Sequence, residues 1–276
     1  MAPLNNQSDC SIPPFKTIQI SHSLLLLADS ALPLGAFAYS SGLESYIAHN
    51  KPLPPHISPI ASFNQFLSFS LASLASTTIP YLLRAYRYPE ELEALDNDLD
   101  ASTPCTVARR ASVAQGLALL QVWERAFRGT IFPNEAISGD ERSQTAQLAA
   151  DTLSKFSESL KLAEADEDGE VNGEASGHFA PIWAVVCLAM GIELDQAAYV
   201  FMLNQAKAVL SASVRASVMG PYQSQSVLAS TDLQKMIVQL LQEQWLTEPD
   251  HAGQVVPTLD LWMGRHELLY SRIFNS

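Results

Sequence analysis

Apolar residues recur every three or four positions over most of this chain, the spacing that gives a helix one buried face. The first such run covers 21–28. After a proline-rich linker over 50–59, Ile60, Phe63, Phe66, Leu67, Leu71 and Leu74 mark a long helix that Pro80 breaks or kinks. A shorter piece spans 81–88, and the acidic stretch 89–100 reads as a short helix and loop. Thr103 and Pro104 read as an N-cap followed by proline in the first turn, opening a helix from about Cys105 to Arg128 that Gly129 closes. Helical spacing returns over 143–163 and over 177–190, the latter stopping at Gly191. It runs again over about 193–218 until Gly220 and Pro221 interrupt it. Residues 222–246 are helical, with Ser230 or Thr231 as an N-cap inside them. No run alternates between hairpin turns, so no strand is predicted. The expected fold is all-α, a single-domain helical bundle of roughly eight to ten helices.

This pattern also divides the chain. Residues 1–20 are polar and proline-containing, a loose leader. A helical domain covers 21–246, and 247–276 form a C-terminal tail. Within the domain, 164–176 is acidic and nearly free of apolar side chains, so it is expected to be a mobile loop. The least helix-like stretch is 27–46, LADSALPLGAFAYSSGLESY. Pro33 restricts the backbone and Gly35 admits conformations closed to other residues, which makes this a shaped loop between two helices. Ser40 or Ser41 is the N-cap candidate for the second of them.

Composition narrows the function classes. The formal net charge of −13 argues against a nucleic-acid partner, since phosphate binding needs a basic surface. The cysteines at 10, 105 and 187 are widely separated and odd in number, which fits a reducing compartment and not a disulfide framework. The first residues lack the basic and apolar regions of a secretory signal. The leucine run 24–27 is far shorter than a membrane span, which takes roughly 20 residues. The expected location is cytoplasmic, with no membrane partner.

A search for catalytic motifs returns little. There is no phosphate-binding GxxxxGK[ST], no GxSxG and no HExxH. The six histidines, at 22, 49, 56, 178, 251 and 266, show no metal-ligand spacing, and His178 reads as a capping or core residue. Asp29 and Glu44 flank the shaped loop and form a candidate acid–base pair for an all-α hydrolase. A capping role for one and an ion pair for the other compete with that reading.

On the helix over 193–218, Leu194, Ala198, Phe201, Gln205, Ala208, Ala212 and Arg215 share one stripe, while Leu203, Leu210 and Val214 make the other side apolar too. Such a helix is buried or at an interface. Arg215 then needs a carboxylate, solvent or a partner. In the tail, Arg265, His266, Glu267, Tyr270, Arg272 and Phe274 have the composition of a binding hot spot. Packing of the tail on its own domain is the alternative.

Five segments resemble the urease accessory protein UreF family: LADSALPLGAFAYSSGLESY (27–46), RRASVAQGLALL (109–120), GHFAPIWAVVCLAMGI (177–192), LSASVRASVMGPYQSQSVL (210–228) and RHELLYSRIFNS (265–276). The resemblance implies an all-α homodimer without catalysis of its own. It implies binding to the accessory protein UreD/UreH and to the GTPase UreG, in a complex that delivers nickel to apo-urease with GTP hydrolysis on UreG. No cofactor is expected to be tightly bound, because nickel is handled by the complex. The resemblance places Glu44, Arg215, Gly220 and Gln225 toward the GTPase. It makes Arg265, His266, Glu267, Tyr270, Arg272 and Phe274 the tail that docks on UreD/UreH. A chain that binds nickel directly as a metallochaperone is the alternative within the same pathway. The acidic stretches 90–100 and 164–176 lengthen the chain beyond the compact bacterial pattern and look like eukaryotic forms.

Overall fold

Proline and glycine set the segmentation that the computed structural model displays over residues 21–132, 141–165 and 175–275. The leader 1–20 and most of the acidic stretch 164–176 lie outside the described residues. In chain order the helices are α1 (His22–Ala28), α2 (Leu43–His49), α3 (Pro59–Thr77), α4 (Ile79–Arg87), α5 (Leu92–Ser102), α6 (Thr106–Val122), α7 (Arg128–Ile131), α8 (Glu141–Ala165), α9 (Phe179–Ala189), α10 (Leu194–Arg215), α11 (Pro221–Leu228), α12 (Thr231–Gln244) and α13 (Pro257–Arg265). Among the described residues there is no strand, and the fold is an all-α bundle. The longer helices are those the apolar spacing predicts. The additional segments are short ones cut out by turns.

Several boundaries follow local chemistry that the pattern alone misses. Thr103 does not cap the long helix. Its hydroxyl donates to Leu99 O at 2.6 Å, finishing α5, and Cys105 takes the N-cap position of α6. Gly129 does not end that helix. A π turn over Trp123–Phe127 inserts there and α7 continues to Ile131, because Phe127, Ile131 and Phe132 pack on the core. The helix expected to reach 218 ends at Arg215. Pro80 does break the α3 run: it occupies the first turn of a new helix, where its missing N–H costs nothing.

Two helices form the interior. In α9, Ala180, Ile182, Trp183, Val185, Val186 and Cys187 are all buried, and the helix packs against α4, α6 and α8. Burial pushes the Cys187 thiol well up, so it is a core group and not a nucleophile. α10 buries Ala197, Ala198, Phe201, Met202, Ala206, Val209 and Leu210 and packs against α1, α3, α9, α11 and α12, while Asp195, Gln196 and Ser211 reach solvent. The α3–α4 stretch Pro59–Arg87 has the length and hydropathy of a membrane span, yet 67% of its most apolar window is buried inside the bundle.

Residues 257–275 pack on the same body. Leu259 is buried, and Trp262 meets the Tyr46 ring edge-on at 4.7 Å.

Candidate functional site

The loop 29–42 shapes the first wall of the site. Gly35 has φ +70°, and a single 3-10 turn, Ala36–Ala38, follows. Ser41 and Gly42 are both left-handed, so the chain reverses sharply into α2 with Gly42, not Ser40 or Ser41, at the N-cap. Ser40 still assists: its buried Oγ accepts the Glu44 N–H at 3.4 Å. Glu44 sits in the first turn of α2, where the helix dipole favours a carboxylate.

The Glu44 carboxylate is engaged by the far end of the chain. Its Oε1 accepts the Ile273 N–H at 2.8 Å, and its Oε2 accepts the Phe274 N–H at 3.3 Å. Beside it, the fully buried His266 contacts Phe274 O through Nε2 at 3.0 Å. A carbonyl only accepts, so Nε2 carries the proton. The other ring nitrogen, Nδ1, has no hydrogen-bond partner among the described residues and lies 3.9 Å from Glu44 Oε2. The Asn275 N–H closes on Ala38 O at 2.8 Å, and Arg110 donates to Glu267 and to Asn275 O. The buried Phe274 ring lies under the Arg215 guanidinium, 4.3 Å from centroid to carbon. Partial burial lowers the Arg215 pKa from its usual value.

These contacts bring together Glu44, Arg215, His266 and Phe274, which the sequence reading divides between a GTPase-facing set and a docking tail. Arg215 is not buried on the stripe of α10. It is the exposed last residue of that helix, and its contact is an aromatic face instead of a carboxylate. Gly220 opens α11, with its N–H donating to Gln223 Oε1 at 3.1 Å, and Gln225 is exposed on the same helix. Tyr270 and Arg265 are exposed, while Arg272 donates to Glu267 at 2.7 Å. The arginine pair Arg110 and Arg272 holds the Glu267 carboxyl below its usual range through hydrogen bonds. Sequence reasoning misses Arg110 and Ala38. An arginine on a helix and a backbone carbonyl carry no signal until a partner is placed beside them.

A second polar network lies behind this surface. A cavity of about 410 Å³ is bordered by Leu27, Asp29, Ser41, Ser112, His178 and Ser211. In its wall, Gln205 donates to Ser41 at 3.0 Å and Ser70 at 3.2 Å, and Lys207 donates to Ala28 O at 2.7 Å. Burial pulls the Lys207 ammonium below its usual value. His178 takes the N-cap position of α9, and its ring bridges Ser112 at 3.0 Å and Asp100 at 2.9 Å. Ser112 Oγ accepts the Phe179 N–H at 3.2 Å, leaving its own proton for His178 Nδ1. The fully buried Asp96 accepts three consecutive amides, from Ser176, Gly177 and His178, at 2.6, 2.9 and 2.5 Å.

Asp29 and Glu44 serve different backbone groups. Asp29 accepts the Ala31 N–H at 2.9 Å and borders the cavity, whereas Glu44 holds the tail. Among the described residues, no three His, Cys, Asp or Glu side chains converge on a metal-sized position.

The protein is thus an all-α helical bundle whose 27–46 loop fastens residues 273–275. The UreF family model matches residues 57–232, covering α3 to the start of α12. A UreF-like urease accessory protein of Schizosaccharomyces pombe is 32% identical over 93% of this chain and 97% of its own length. Urease accessory protein F of Arabidopsis thaliana is 30% identical over 91% of this chain and 90% of its own. Urease accessory protein 6 of Cryptococcus neoformans var. grubii is 26% identical over 92% and 96%. The chain belongs to the UreF family of urease accessory proteins, with a role in urease maturation.

Proposed function

We propose that this chain is a non-catalytic scaffold that joins UreD/UreH and the GTPase UreG for GTP-dependent nickel insertion into apo-urease, and that it modulates UreG. It acts in the cytoplasm as a homodimer, with nickel as cargo of the complex. The observation that carries this reading is the convergence of the first and last family-like segments with Arg215 on one surface. That surface leaves Leu268, Tyr270 and Ile273 at 78%, 107% and 62% exposure, a concentration of large apolar side chains that suits a protein partner. Arg215 and the α11 entry at Gly220 and Gln225 form the side proposed to face UreG.

Co-purification tests the reading. Full-length protein is expected to retain UreD/UreH, and to recruit UreG in a GTP-dependent manner. Removing 265–276 is expected to weaken UreD/UreH binding. Undiminished co-purification of the truncated chain would remove the tail from the docking surface.

A further inference from the structure

The cavity behind the tail surface has the size and the lining of a small-molecule site. Its volume of about 410 Å³ falls within the roughly 300–1,000 Å³ of ligand pockets. At roughly 30 Å³ each, the share of a water molecule in the liquid, it holds about a dozen non-hydrogen atoms. Leu27, Leu34, Leu99, Phe179, Phe201 and Met263 give it an apolar wall. Ala252, Gly253 and Gln254 close one side, where the Gly253 N–H donates to Ser76 O at 3.1 Å. Among the described residues, none of 265–275 borders it, so it is separate from the proposed docking surface.

The charged groups around the cavity are unequal. His178 uses both ring nitrogens, on Ser112 and Asp100. Asp260 accepts from Gln254 at 3.1 Å, and Asp29, exposed to solvent, accepts the Ala31 N–H. Lys207 is half-buried on α10, and its ammonium makes one hydrogen bond, to Ala28 O at 2.7 Å. Among the described residues it has no ion pair, so further N–H donors are left without an acceptor. Burial disfavours that charge, and Asp29 offsets only part of the effect. Nearby on the same helix, Gln205 donates to Ser41 and Ser70. Each hydroxyl therefore keeps its own hydrogen, and neither donates to another described residue. An ammonium and two hydroxyls with spare hydrogens suit an anionic head group. The negative charge spread over the rest of the chain is screened beyond about 8 Å at physiological salt, so the local ammonium sets the sign. Asp29 weakens that local field, which favours a single charge on the ligand over two.

We propose that this cavity binds a medium-chain monocarboxylate, with its chain against the apolar wall and its carboxylate on Lys207. The test titrates the full chain by calorimetry with three probes of one length: octanoate, octanol and octylamine. Octanoate, with about ten non-hydrogen atoms, fits the volume. It is expected to bind one-to-one with a Kd of about 0.1 mM or lower. Octanol and octylamine are expected to bind at least about tenfold more weakly, the loss of one charge-assisted hydrogen bond. Lys207→Met keeps the apolar stem and removes the charge. It is expected to erase the preference for octanoate over octanol and to leave octanol affinity unchanged. If Lys207 were merely structural, the variant would weaken both probes and keep their ratio, which would overturn the proposal. Ala208→Phe places a ring at the cavity wall and is expected to abolish binding of octanoate, with helical circular dichroism retained. Undiminished binding there would put the ligand elsewhere. The octanoate-to-octanol ratio in Lys207→Met decides the matter even if that second variant does not fold. Absence of saturable octanoate binding, or equal affinity for the three probes, overturns the proposal. So does tighter binding of octylamine, which would make Asp29 or Asp260 the head-group partner.

Discussion

Arg215 shows how much one contact changes an expectation. A guanidinium on a buried stripe would need a carboxylate, and its removal would cost roughly 3–5 kcal/mol. Over the Phe274 ring and exposed, it contributes at the scale of a surface cation–π pair. Arg215→Ala is expected to lower stability by about 0.5–1 kcal/mol in a thermal or urea melt, with Arg215→Lys losing less. A loss above about 3 kcal/mol would mean that the charge is paired inside the fold. Asp100 carries a pH signature. Burial pushes its carboxyl up, but the hydrogen bonds from Arg109 and His178 outweigh this and hold it below the usual carboxylate range. A depressed folded pKa means stability that is complete above the unfolded value of about 3.9 and lost as pH falls through the folded one. The melting difference between wild type and Asp100→Asn is therefore expected to be constant near neutrality and to shrink below about pH 4. A difference independent of pH down to full unfolding would remove the charge from the account.

At the scale of elements, the start of α9 is the most tightly specified junction. Three amides converge on Asp96, and α6 approaches so closely that a Cβ on Gly116 would lie 2.1 Å from Gly177 O and 2.8 Å from Phe179 N. Both obstacles are backbone, so neither side can give way cheaply. Alanine at 116 would gain up to about 1 kcal/mol of helix propensity in isolation. In this fold Gly116→Ala is expected to destabilise by at least about 2 kcal/mol, seen as a lowered urea midpoint with an unchanged m-value. Asp96→Ala strips the same junction of its acceptor and is expected to cost roughly 3–5 kcal/mol. A neutral result at Gly116 would show that α6 and α9 sit further apart than the hydrogen bonds imply.

For the whole molecule, the C-terminal stretch is both core and surface. His266 and Phe274 are buried while Leu268 and Tyr270 are not, so removal of 265–276 is expected to weaken the fold as well as to take away the side chains proposed to dock. Losing a buried phenylalanine costs about 3–5 kcal/mol, which at this size is a fall in Tm of several degrees. The truncated chain is expected to keep its helical circular dichroism at room temperature and to melt earlier. An unchanged Tm would mean that Phe274 is not held in the fold.

Hydrophobic spacing and punctuation by Pro80, Gly191 and Pro221 determined the all-α class and most helix positions, because each is a local property of a few adjacent residues. The shaped loop before Glu44, the apolar helix that carries Arg215 and the hot-spot composition of the C-terminal stretch were likewise recognisable. What each of those residues touches was not. The Glu44–Ile273 hydrogen bond spans 229 positions, and the Arg215–Phe274 contact joins two elements whose relative placement depends on how α2, α10 and α13 pack. The same holds for Thr103 and Gly129, where a neighbouring helix end and a packed aromatic overrode the local preference. Local patterns state what a segment can form. Only the packed structure decides which carboxylate meets which amide, since that pairing is chosen by the burial of side chains elsewhere in the chain.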